Sequence, residues 1–156
     1  MHEIALEMLE GLQAEPIASS DVDFRSALRS LHLPAEDLDQ SSGHFFRFWD
    51  TDRTTVGYGG TELTEDGVAL LRSIVVLPEH QHHGNGGKIT KSLLRYASGQ
   101  GAMAAYLLTT DCEPFFGRLG FQRIERADAP SSISQSTQAA DLCPSSASLM
   151  TRPTGV

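Results

Sequence analysis

Cysteine is scarce in this sequence: Cys112 and Cys143 are the only two in 156 residues. They are too far apart to make a metal pair or a C-x-x-C motif. With no signal peptide at the start, a reducing cytoplasm is the expected compartment. Lysine is as rare, limited to Lys88 and Lys91. The formal net charge is −8, the wrong sign for a nucleic-acid-binding face. No apolar run approaches the roughly 20 residues that a membrane-spanning helix needs. What is present is ordinary globular material, 40% hydrophobic and 21% charged. The length suits one domain, 1–156, with a sizeable core. No internal repeat is visible.

Hydrophobic periodicity divides the chain. The opening "MHEIALEMLEGL" fits either a strand or a short helix. "SSDVDFRSALRSLHLP" reads as a helix capped by Ser20, with Phe24, Leu28 and Leu31 on one face and Pro34 ending it. "AEDLDQ" allows one more helical turn. "HFFRFWD" and "TVGYGGTEL" read as strands around the turn "DTDR". "GVALLRSIVV" is a strand whose continuous apolar character places it centrally. "GGKITKSLLRYASG" is an amphipathic helix with an Ile89, Leu93, Leu94, Ala97 stripe and Gly99 as its terminator. "MAAYLLTT" is a buried strand, "EPFFGRLG" a short helix with Pro114 in its first turn, and "FQRI" and "ASLM" are further strands. Strands followed by helices on a mixed sheet make this α/β or α+β.

The stretch "PEHQHHGNGGKIT" (residues 78–90) concentrates chemistry-bearing residues. Three of the six histidines and three of the 14 glycines lie in it. A Walker loop is excluded, because Ile89 follows Lys88 where Ser or Thr is needed and His82 stands at the first glycine. No G-x-G-x-x-G supports a dinucleotide site. His80, His82 and His83 have no helix-borne H-x-x-x-H or cysteine pair beside them, so a solvated turn explains them better than a metal. A glycine turn between a buried strand and a helix N-terminus does make an anion site. Both lysines fall in that helix's first turns, opposing its dipole, as a nearby phosphate would explain. A tight turn with surface lysines accounts for the same residues equally well.

Two other residues stand out. Arg72 interrupts an apolar strand, and its planar fork suits a carboxylate, phosphinate or arsinate in a cleft; an internal salt bridge is the competing reading. In a regular strand Ser73 points to the opposite face. Glu62, late in "VGYGGTEL", lies on a strand expected to adjoin that of Arg72, and is either a general base or a solvent-facing carboxylate.

"VVLPEHQHHGNGG" resembles the acetyl-coenzyme A signature of the GNAT acyltransferase superfamily, V-x-P-x-x-[QR]-x-x-G-x-[GA], with Gln81, Gly84 and Gly86 in its defining positions. "LLTTDCEPFFGRLGFQRI" resembles that superfamily's second conserved block. More narrowly, "GGTEL", "ALLRSIVV", "LLTTDCEPFFGRLGF", "DAP" and "LCPSSASLM" are similar to the small bacterial arsenic-resistance N-acetyltransferase branch. Asn85, Asp111 and Cys112 depart from that branch's pattern.

The resemblance implies a GNAT-like twisted mixed sheet, mostly antiparallel, with helices on both faces and a splayed acetyl-coenzyme A cleft. It implies acetyl transfer by direct attack from the amino group of a small amino acid or toxic analogue, with acetyl-coenzyme A as co-substrate and no metal. Cofactor contacts then fall to Val75, Val76, Gln81, His82, His83, Gly84, Asn85, Gly86, Gly87, Lys88 and Phe116, with one backbone N–H near Val75 and Val76 polarising the thioester. Glu62 becomes the base, with Arg72 and Thr110 on the substrate side. Phe116 stands where many relatives place a thiolate-protonating tyrosine and cannot do that work. No cysteine nucleophile is required, so Cys112 and Cys143 read as small packing residues. The partners implied are a small-molecule amine, no nucleic acid, no membrane, and a homodimer as the assembly to look for. The alternatives are a non-catalytic coenzyme A-binding or sensing module and a metal-binding protein.

Overall fold

The computed structural model describes residues 12–33, 35, 38, 43–136 and 147–155. Among the described residues seven strands form one sheet: β1 (Gln13–Ile17), β2 (His44–Trp49), β3 (Thr55–Leu63), β4 (Val68–Val76), β5 (Ala104–Thr109), β6 (Gln122–Ile124) and β7 (Ser148–Pro153). Their spatial order is β1-β2-β3-β4-β5-β7-β6. All neighbours run antiparallel except β4 and β5. The mixed, mostly antiparallel sheet with helices on both faces is the expected architecture.

Helices α2 (Asn85–Gly99) and α3 (Glu113–Arg118) cover one face. There Ile89, Leu93 and Phe116 pack with Phe46, Phe48, Leu71 and Leu107. Helix α1 (Val22–Ser30) covers part of the other face, setting Phe24 and Leu28 against Phe45, Tyr58 and Val75. The short α4 (Ser131–Ser134) adds Ile133 over Leu70 and Leu149 on that side. Its Ser132 donates to Asp66 in the β3–β4 turn at 3.0 Å. β3 is glycine-rich because neighbours crowd it. A Cβ on Gly59 would meet Leu93 of α2 at 2.9 Å, and one on Gly60 would run into the Phe45 ring.

Several expectations need correction. Asp21, not Ser20, caps α1, its carboxylate accepting the Phe24 N–H at 2.9 Å. The helix stops at Ser30, before the proline, so Leu31 leaves the apolar stripe and is 40% exposed. β1 was not legible: "QAEPI" alternates poorly and contains Pro16, which an edge strand tolerates. Helix α2 begins one residue early, at Asn85, and ends at Gly99 as expected, with the left-handed residue two positions further on at Gly101 (φ 96°). The expectations for "MHEIALEM", "AEDLDQ" and Cys143 lie largely outside the described residues.

Candidate functional site

β4 and β5 share a ladder for only three positions, Val68↔Ala104, Ala69↔Ala105 and Leu70↔Tyr106. Beyond it the strands part, and the second half of β4 is left without its parallel neighbour. The polarity of that half follows from its other partner. The Leu77 N–H donates to Val56 O across to β3 at 2.9 Å. By strand alternation the N–H and C=O of Val76 therefore face the β5 side. The Val76 carbonyl accepts the Gln81 side-chain amide at 3.0 Å, which leaves the Val76 N–H as a donor aimed into the splay.

The chain then passes through one 3₁₀ turn (Pro78–His80) into α2. Gly84 occupies the N-cap position at φ 81° with no side-chain cap, a left-handed conformation glycine adopts without steric cost. The first-turn N–H groups of α2 thus have no capping side chain, and they carry the positive end of the helix dipole. A Cβ at Gly84 would meet nothing within 4 Å, and His82, His83 and Gly84 are exposed. His82 is also left-handed, at φ 68°. Asn85 braces the turn by donating its side-chain amide to His80 O at 3.0 Å. Gln81 and Asn85 are therefore spent on holding the loop's shape, while the backbone amides and Lys88 are what it offers an anion. An open cradle, uncapped amides and a lysine in the first turn fit the diphosphate of coenzyme A.

Gly86 is glycine for a different reason from the one the motif suggests. A Cβ there would meet the Phe115 ring at 3.0 Å and Val76 at 3.7 Å, so it permits α2 and α3 to approach. Gly86→Val should therefore lower the melting temperature and coenzyme A affinity together, read by thermal unfolding and calorimetric titration. Phe116 is 9% exposed and packs edge-on to Phe115 and Phe121; it belongs to the core.

Glu62 and Arg72, expected to do separate jobs, form one ion pair. Arg72 Nη1 lies 2.9 Å from Glu62 Oε2, with the Arg72 side chain fully buried and that of Glu62 21% exposed. Arg72 Nε donates to Ser73 Oγ at 3.1 Å, and its guanidinium sits over the Phe45 ring at 5.7 Å. The internal salt bridge replaces the cleft-facing guanidinium. Ser73 does not point away from Arg72, because β4 is not regular at that point.

Thr110 is exposed just past β5. Cys112 is an exposed free thiol, not a packing residue. Partial desolvation and then Asp111 push its thiol above the ordinary range, so it is a poor nucleophile near neutrality. Cys112→Ser should leave turnover within about twofold of wild type; a hundredfold loss would instead indicate a covalent route. Among the described residues no three His, Cys, Asp or Glu side chains cluster as metal ligands, and no helix is long and apolar enough to cross a membrane. A pocket of about 610 Å³ lined by Pro16, Ile17, His44, Phe45, Tyr96 and Gln100 opens elsewhere. Tyr96 is 11 residues from the start of α2, about 16 Å of helix, so this pocket is remote from the glycine turn.

The model of the acetyltransferase (GNAT) family matches residues 7–121, and the chain belongs to that family. A mycothiol acetyltransferase of Stackebrandtia nassauensis is 30% identical over 106 residues, covering 61% of this chain and 34% of that protein. The fold is shared with Neisseria gonorrhoeae N-acetylglutamate synthase, solved with coenzyme A and N-acetyl-glutamate, at TM-score 0.76, 18% identity and coverage of 93% of this chain and 35% of that one. A GNAT-family acetyltransferase of Staphylococcus aureus Mu50 matches at TM-score 0.68 and 17% identity, over 92% of this chain and 99% of that one. The chain thus spans about a third of the mycothiol acetyltransferase and of the synthase, and nearly all of the compact S. aureus enzyme.

Proposed function

We propose that the protein is an acetyl-coenzyme A-dependent N-acetyltransferase acting on the amino group of a small acceptor. The observation that carries this is the Val76 N–H. It faces the gap where β4 leaves β5, and the same strand leads directly into an uncapped helix N-terminus suited to a diphosphate. Acetyl-coenzyme A supplies an activated acetyl group there. The chain's own part is to bind and orient: the loop amides and Lys88 take the phosphates, and β4 backbone donors align the thioester arm. Neither cysteine is needed.

The acceptor we favour is a small amino acid or a toxic amino-acid analogue, following the resemblance to the arsenic-resistance branch. Glu62 is the group assigned to the acceptor's ammonium or its proton, with Arg72 fixing the carboxylate from behind and Thr110 on the acceptor side of β5. Glu62→Gln should lower turnover, with part of the loss recovered at high pH where the free amine is abundant.

The deciding experiment measures thiol release from acetyl-coenzyme A across amino acids, their phosphinic and arsinic analogues, and simple amines. Acetylation of an anionic amino acid in preference to a simple amine supports the reading. Coenzyme A binding with no acceptor acetylated would make the protein a binding module instead.

A further inference from the structure

Strand β4 contains one residue more than its neighbour can match. Tyr58 pairs with Val75 and Gly60 with Arg72, so Gly59 alone faces both Ser73 and Ile74. Ser73 absorbs the extra length at φ 60°, a left-handed backbone that a non-glycine residue adopts only under constraint. Glycine or asparagine would sit there more readily. A serine offers what glycine cannot. Its Oγ accepts the Arg72 Nε–H at 3.1 Å, and Arg72 is itself held by Glu62 at 2.9 Å. Arg72 is 3% exposed and Ser73 8%, so water does not compete freely for these bonds.

The bulge sets the polarity of everything after it. Before it, Leu71 lies on the α2 side and Arg72 beside Phe45. After it, Ile74 and Val76 pack on the α2 side while Val75 joins the α1 cluster. In a regular strand the parity would be the opposite, and the amides of residues 74–76 would exchange sides. The Val76 N–H would then point at β3 instead of the splay.

We infer that the Ser73 hydroxyl latches this bulge through Arg72 and Glu62, and is thereby a positioning residue for acetyl transfer, a role that rests on the function proposed above. It touches neither substrate; it fixes where the β4 donors point.

Ser73→Gly tests this, because it relieves the left-handed strain while deleting the hydroxyl. The variant should melt no lower than wild type and bind coenzyme A within about twofold, since Asn85 braces the turn from within, on His80 O. Its kcat should fall about tenfold, as expected for a small misplacement of reacting groups. In the ligand-free protein, amide hydrogen exchange at Val75, which pairs with Tyr58 of β3, should quicken by about tenfold. Ser73→Asn tolerates the backbone and presents Oδ1 to Arg72, so it should restore kcat and slow exchange. A glycine variant with wild-type kcat and wild-type exchange overturns the latch. So does a joint fall in kcat and melting temperature that asparagine does not rescue. If wild type acetylates no amine, the proposed function fails, and exchange in the ligand-free variants alone decides for or against the latch.

Discussion

Glu62→Leu is expected to destabilise the protein by about 3–5 kcal/mol, because it removes the carboxylate that neutralises a guanidinium taken out of water. The survivor, Arg72, has no exposed side-chain area, whereas Glu62 keeps 21% of its own. Arg72→Met, which removes the cation beside the more accessible carboxylate, should accordingly cost less than Glu62→Leu. The double variant Glu62→Leu with Arg72→Met should recover most of the loss, since an apolar pair of similar volume needs no ion pairing. Urea unfolding of the four proteins closes this cycle. Additive single effects, with no recovery in the double variant, would show that the two side chains do not depend on one another.

Val76→Pro should lower kcat/KM for acetyl-coenzyme A by about 10²-fold, in the range for losing one preorganised backbone donor. Proline removes the N–H but spares the β3 ladder, because the Val76 amide points to the other side and the neighbouring ladder bond runs from Leu77 to Val56. The fold should therefore survive, as a circular dichroism spectrum and melting curve would show. A folded variant with unchanged kcat/KM would remove the Val76 amide from the site.

Much of the site was legible because its signals are local. A buried apolar run, a glycine turn and an amphipathic helix follow one another in residues 68–99, and each has its own periodicity or turn chemistry. The glycine turn could thus be placed within residues 78–90 from local signals, while its reading as a cofactor loop at Gln81, Gly84 and Gly86 came from the family resemblance. The reason for Gly86 could not be read locally. Its neighbour Phe115 is nearly 30 residues away and meets it only when α3 docks on α2.

The sequence by itself determined most of the run of strands and helices from β2 onward, the position of the glycine turn, and the oddity of a charged residue in an apolar strand. These depend on side-chain patterns within a dozen residues. Only the tertiary structure decided that the last strand, β7, inserts between β5 and β6, that Arg72 is bonded to Glu62 across the hairpin, and that Ser73 turns β4 over. Strand order and register are set by pairing between distant segments, and a one-residue shift reverses every face that follows. Nothing in "LRSIVV" records that shift, because serine does not favour a left-handed backbone on its own. The bulge exists where Gly59 faces both Ser73 and Ile74 and where Glu62 reaches Arg72, and those meetings are made by the fold.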